Sequence, residues 1–179
     1  MALAQRSPRP AGSRYALSER DDFLSCGVHM AKMVEVRLHG FTCEFAGDEG
    51  DDLEVTGIFK VLTFDDSSNI KTTEVLFDFP DGPIRMHKGS SVAMPRDVRV
   101  LLATPSVDPP GFGALFVKFG GDLAEKDASP DTDDSLGGQW ETLHSSDVSN
   151  SEPRMWHFYF GRNEQIVRAD LSIVFVHPV

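Results

Sequence analysis

The sequence predicts an all-β fold, an antiparallel β-sandwich of about eight strands. Three observations support this. Apolar and polar residues alternate with a period of two, as where Val34, Val36 and Leu38 interleave with Glu35, Arg37 and His39. Turn-forming clusters at 65–69 and 80–83 divide such runs at the spacing of a sandwich. Nowhere does an apolar period of 3.6 persist for three turns, and 13 Phe with 15 Gly and 11 Pro suit strands and turns better than helices.

The elements follow in order. A strand is expected from Met33 through His39, then an acidic loop at 44–52 reading EFAGDEGDD. Leu53, Val55, Gly57 and Ile58 open a second strand that runs to Phe64, and the Asp/Ser/Asn cluster at 65–69 turns it. A third strand at 72–79 ends on Pro80, Asp81, Gly82 and Pro83. The run 84–94 is weaker, with Gly89 read as a bulge. A strand at 98–103, a Pro/Gly loop at 105–113 and a strand at 114–119 come next. An anionic stretch at 121–137 then leads to a short strand at 139–143 and a polar loop at 144–153. Strands at 156–160 and 167–176 close the chain as a hairpin around Gly161, Arg162 and Asn163.

A chain of 179 residues has room for one sizeable core. Residues 33–179 are read as a single sandwich domain, preceded by a disordered N-terminal extension at 1–32. That extension is rich in Ala, Ser, Arg and Pro and has no acid before Glu19. It reads as a tail or as an over-long start, with Met30 or Met33 as the true initiator. A transit peptide, suggested by the unopposed Arg6, Arg9 and Arg14, ranks lower because Pro8 and Pro10 interrupt any amphipathic face. Cys26 and Cys43 have neither disulfide-framework nor metal spacing, so a reducing compartment, the cytoplasm, is expected. No apolar run reaches membrane-spanning length.

The net charge of −11 is concentrated. Segment 44–54 holds six acids and no Lys or Arg, and segment 122–134 holds six acids against Lys126 alone. The other 16 acids and 16 bases balance, so the whole imbalance sits in two short segments far apart in sequence. Such a surface disfavours nucleic-acid binding, which needs a cationic footprint. Packed carboxylates repel one another, and the repulsion grows as the local dielectric falls. A hard divalent cation, above all calcium, relieves it with six to eight oxygen ligands. The candidate ligands are Asp48, Asp51 and Asp52 in one segment and Glu125, Asp127, Asp133 and Asp134 in the other. An EF-hand does not fit, because a loop counted from Asp127 has Thr132 at position six and Gly138 at position twelve. The bland reading of the same composition is a solvated acidic loop.

The run from Glu125 and Asp127 through Asp133 and Asp134 to Leu136 and Gly137 resembles the third calcium loop of C2 domains. That loop reads D-x-D, a spacer, N/D-D-x-I-G and a strand. Here the first acid is Glu, and the spacer is one residue longer. Asp48, Gly50 and Asp52 loosely match the family's first calcium loop, with shorter spacing and without its Pro. The family's N-P-x-W-N-E signature is missing after Thr72. The resemblance implies that the two loops meet at one end of a C2-like sandwich and share calcium. It also implies a non-enzymatic module that docks through the ion to anionic phospholipid or a partner protein.

Other constellations are weaker. Six scattered His lack zinc-ligand spacing, and no phosphate-loop or nucleophile-elbow motif occurs. Lys60, Lys71, Arg85 and Lys88 read as ordinary solvated cations before they read as a patch. A glycosidase carboxylate pair has no supporting cleft of aromatic residues beyond Trp140 and Trp156. The alternative to calcium binding is a calcium-independent sandwich of jelly-roll type that self-assembles or binds a protein or sugar, its acidic loops a solubilising rim.

Overall fold

The computed structural model describes residues 31–47, 52–79, 82–103, 113–126, 134–147, 152–162 and 164–176. Within them nine strands form two antiparallel sheets, with no helix among the described residues. They are β1 (Lys32–Ala46), β2 (Asp52–Phe64), β3 (Ile70–Asp78), β4 (Ile84–His87), β5 (Ser91–Leu102), β6 (Phe116–Glu125), β7 (Asp134–His144), β8 (Arg154–Arg162) and β9 (Gln165–Val176). The first sheet has the order β5-β1-β9-β8 and the second β3-β2-β6-β7, with β4 also pairing β2. Strand β2 holds β3 along 58–64 and β4 along 52–55. Thus β3 and β4 share one edge, and nine strands occupy eight sheet positions.

Alternation decides which face of each strand is buried. Val34, Val36 and Leu38 of β1 are fully buried, and so are Val167, Ala169 and Leu171 of β9 across from it. The second sheet sends in Leu53, Val55, Phe59 and Val61 from β2 and Val117 and Phe119 from β6. Aromatic rings fill the space between. The Phe59 ring lies edge-on to those of Phe41, Phe158 and Phe160, with centroids 5.9, 5.9 and 5.6 Å apart. Phe119 meets Trp156 at 5.3 Å and 82°. One buried acid, Glu35, is matched by Arg37 at 2.8 Å and Arg99 at 3.0 Å.

The expected strands are present, but several boundaries move. β1 runs on through Glu44 and Phe45 to Ala46, with bulges at Leu38/Gly40 and Cys43/Phe45, so the acidic segment begins inside a strand. The run 84–94 is two strands, and Gly89 is a turn residue with φ of 78°, not a bulge. The second of them, β5, includes Pro95, which a strand tolerates at a sheet edge where one N–H needs no ladder partner. β6 passes through Gly120 and Gly121 to Glu125, and β7 starts at Asp134, so both ends of the stretch 121–137 are strand. Of the N-terminal extension, residues 1–30 lie outside the described residues.

Cys43 is buried, and burial pushes its thiol pKa up, reinforced by Glu44 and Glu125 and opposed by Lys88. In a Cys26→Ser variant, a thiol reagent at neutral pH is expected to leave Cys43 unmodified until denaturant is added. Prompt labelling of the folded protein would contradict that burial.

Candidate functional site

Backbone register brings the flanks of the two acidic segments together. Val55 of β2 pairs with Glu125 of β6, and Glu125 pairs with Asp134 of β7. The Lys126 N–H donates to the Glu54 carbonyl at 2.7 Å. Asp52, Glu125 and Asp134 therefore stand on three adjacent strands at one end of the second sheet. The first sheet closes on the same end: Ala46, the last residue of β1, pairs with Gln165, the first of β9. Gln165 Nε2 crosses between the layers and donates to Glu125 Oε2.

Of the seven candidate ligands, Asp52, Glu125 and Asp134 are described, whereas Asp48, Asp51, Asp127 and Asp133 lie outside the described residues. Each of the three has a side-chain partner. His87 Nδ1 donates to Asp52 Oδ1 across the β2–β4 pair, and Gln165 holds Glu125. Arg162 Nη1 stands 3.5 Å from Asp134 Oδ1. The Asp52 and Asp134 side chains are 56% and 41% exposed, so solvent screens both contacts and an ion has access to both carboxylates. Carboxylate oxygens are the donor type a hard cation takes. Among the described residues, however, no three His, Cys, Asp or Glu side chains gather closely enough to hold a metal. Asp52, Glu125 and Asp134 stand at the rim of this end of the sandwich, flanking residues 48–51 and 127–133, which lie outside the described residues.

Basic and apolar groups surround the rim. Arg85 Nε pairs with Glu54 at 2.6 Å. Arg168 bridges Glu44 and Asp170, reaching the latter through Nε at 2.9 Å. The half-exposed Phe45 ring has Lys88 Nζ 5.4 Å from its centroid. Lys60, Lys71, Arg85 and Lys88 do not share one role: Lys71 donates to the Gly113 carbonyl at 2.7 Å, while Arg85 and Lys88 serve this end. Sequence reasoning missed Gln165, His87, Arg162 and Arg168. Only the hairpin around Arg162 offered a signal, because a turn there returns β9 to the end where β8 stops.

Asp170 is subject to opposed influences. Burial pushes its carboxyl pKa up, but hydrogen bonds from Arg168 and from His157 Nδ1, the latter at 2.7 Å, outweigh it and hold the pKa below the usual carboxylate value. A pKa depressed on folding contributes stability above the unfolded value, about 3.9, and that stability is lost as pH falls through the folded value. Asp170→Asn is expected to flatten the acid limb of stability below about pH 4. Urea midpoints compared at acid and neutral pH check it, and parallel acid limbs in both proteins contradict it.

No protein-family model matches the chain, and no curated protein matches it in sequence. Among solved structures, the fold is similar to the C2A domain of plant extended synaptotagmin 1, with a TM-score of 0.47, 7% identity, and coverage of 84% of this chain and 98% of that one. It is similar to human GIVD cytosolic phospholipase A2 at a TM-score of 0.42 and 11% identity, over 82% of this chain and 16% of that one. A C2 domain protein from Ramazzottius varieornatus matches at a TM-score of 0.39 and 11% identity, over 83% of this chain and 92% of that one. Structural neighbours of the chain are C2 domains, and the likeness is one of fold.

Proposed function

We propose that the chain is a non-enzymatic, C2-like binding module that takes calcium at its acidic end and docks through the ion to anionic phospholipid or a partner protein. The observation that supports this most is the register Val55–Glu125–Asp134, which sets the flanks of two segments holding all the excess charge side by side. Asp48, Asp51 and Asp52 from one segment and Glu125, Asp127, Asp133 and Asp134 from the other supply the oxygens. Calcium removes their mutual repulsion and joins the two loops. Phe45 and Lys88, beside the same end, offer an apolar ring and a cation to an anionic surface.

Thermal melting tests the reading. Calcium at 100 times its dissociation constant stabilises the folded state by about 2.7 kcal/mol. For a chain of this length that raises the melting temperature over an EDTA control by roughly 5–10 °C. The shift is expected to vanish in Asp127→Asn/Asp134→Asn. Equal melting with calcium and with EDTA would sink the reading.

A second reading, a calcium-independent interaction sandwich, is favoured by one observation: Asp52, Glu125 and Asp134 already hydrogen-bond or pair with His87, Gln165 and Arg162. It predicts melting indifferent to calcium.

A further inference from the structure

We infer that the tip of the β8–β9 hairpin sets the calcium affinity of the acidic end: Arg162 holds Asp134 as an internal cation, and calcium must displace it to bind. The inference rests on the calcium site proposed above and names the residue that tunes it.

The placement of Arg162 follows from alternation. Phe160 of β8 and Val167 of β9 stand opposite each other and are fully buried. Arg162 and Gln165 pair two residues further out, so both point to the same, inward side of the first sheet. Two residues join them, and one of these, Glu164, takes φ of 68°. A two-residue hairpin uses such left-handed backbone, and it fixes the register of the pair beside it.

The second sheet presents a matching pair. Leu123 of β6 and Leu136 of β7 are buried. Glu125 and Asp134 stand two residues beyond them and pair with each other at the end of the β6–β7 ladder. An acidic pair and an arginine–amide pair thus face each other across the mouth of the sandwich. Arg162 Nη1 lies 3.5 Å from Asp134 Oδ1, and Gln165 Nε2 donates to Glu125 Oε2. Among the described residues Arg162 is the one ion-pair partner of Asp134.

This contact gives Asp134 a positive neighbour when no ion is present. A divalent cation that takes Asp134 as a ligand brings two more positive charges toward the guanidinium, and the two repel. Arginine cannot shed its charge at neutral pH, so its side chain must swing away. That side chain is half-exposed, and an exposed ion pair is weak, so calcium affinity is lowered and not abolished. Gln165 is neutral and adds no such repulsion, which leaves the competition to Arg162. Arg85 supplies an internal comparison. It also adds one positive charge to this end, but its Nε pairs at 2.6 Å with Glu54, which is not a candidate ligand.

Calorimetric titration of calcium into the full chain, Arg162→Gln, Arg162→Lys and Arg85→Gln tests the inference. Arg162→Gln is expected to tighten calcium binding roughly two- to fivefold, the range set by an exposed ion pair. Arg162→Lys, which keeps the charge, should stay near the parent affinity, and Arg85→Gln should gain distinctly less than Arg162→Gln. A hairpin that only braced the two sheets would give the opposite sign, because cutting the brace loosens the site. Calcium binding that Arg162→Gln leaves unchanged or weakens, or that Arg85→Gln tightens equally, overturns the inference and leaves the calcium site standing. No heat of binding from any of the four chains overturns the calcium site, and the inference with it.

Discussion

Phe59→Ala is expected to cost roughly 3–5 kcal/mol, the range for removing a fully buried ring. Phe59 has no exposed surface, and its ring lies within 6 Å, centroid to centroid, of Phe41, Phe158 and Phe160. Those three rings come from β1 and β8 of the opposite sheet, so Phe59 joins the two layers. Strand backbones tied into two ladders cannot collapse into the gap, and the residual cavity adds to the lost transfer energy. The melting temperature is expected to fall by roughly 6–20 °C. Phe59→Leu, which keeps most of the volume, should recover much of the loss. Equal melting of Phe59→Ala and the parent chain contradicts a core centred on this ring.

Gly120→Ala is expected to cost roughly 2–4 kcal/mol, combining backbone strain with overpacking. Gly120 has φ of 146°, and a Cβ there would lie 2.1 Å from the Gln139 carbonyl oxygen and 2.8 Å from Trp140 Cα. Both obstacles are backbone of β7, so no side-chain rotation relieves them. Gly82→Ala is the control for the steric part, because Gly82 also has a positive φ, 158°, but a Cβ at that position meets nothing within 4 Å. Urea midpoints for the two variants check the ranking, and equal midpoints contradict it. The β6–β7 ladder ends on the pair Glu125–Asp134, so under the proposed function Gly120→Ala should also weaken calcium binding.

The fold class was legible because β1, β2 and β9 alternate cleanly; Val34, Val36 and Leu38 name the buried face without help from the rest of the chain. The split at Gly89 was hidden, since a glycine in a weak strand pattern reads equally as bulge or turn, and only the pairing of β4 with β2 separates them. Pro95 concealed the start of β5, because its tolerance there depends on the strand lying at an edge, a tertiary fact. Gly120 and Gly121 masked the end of β6: two glycines before a run of acids read as a loop, yet they are small because adjacent backbones approach closely. For the candidate site, the charge count singled out two segments whose flanking residues, Asp52, Glu125 and Asp134, share one end of the second sheet. The partners of its acids were not legible, because His87, Gln165 and Arg162 reach them only through sheet register and layer packing.

In the proposed function, two segments separated by about 70 residues form one cation site. Calorimetric titration of calcium into the full chain, Asp52→Asn and Asp134→Asn tests it most directly. A shared site predicts heat of binding in the parent chain and a comparable loss of affinity from either substitution, since each removes a ligand from the same ion. No binding in the parent chain, or a loss confined to one of the two loops, contradicts a site built from both.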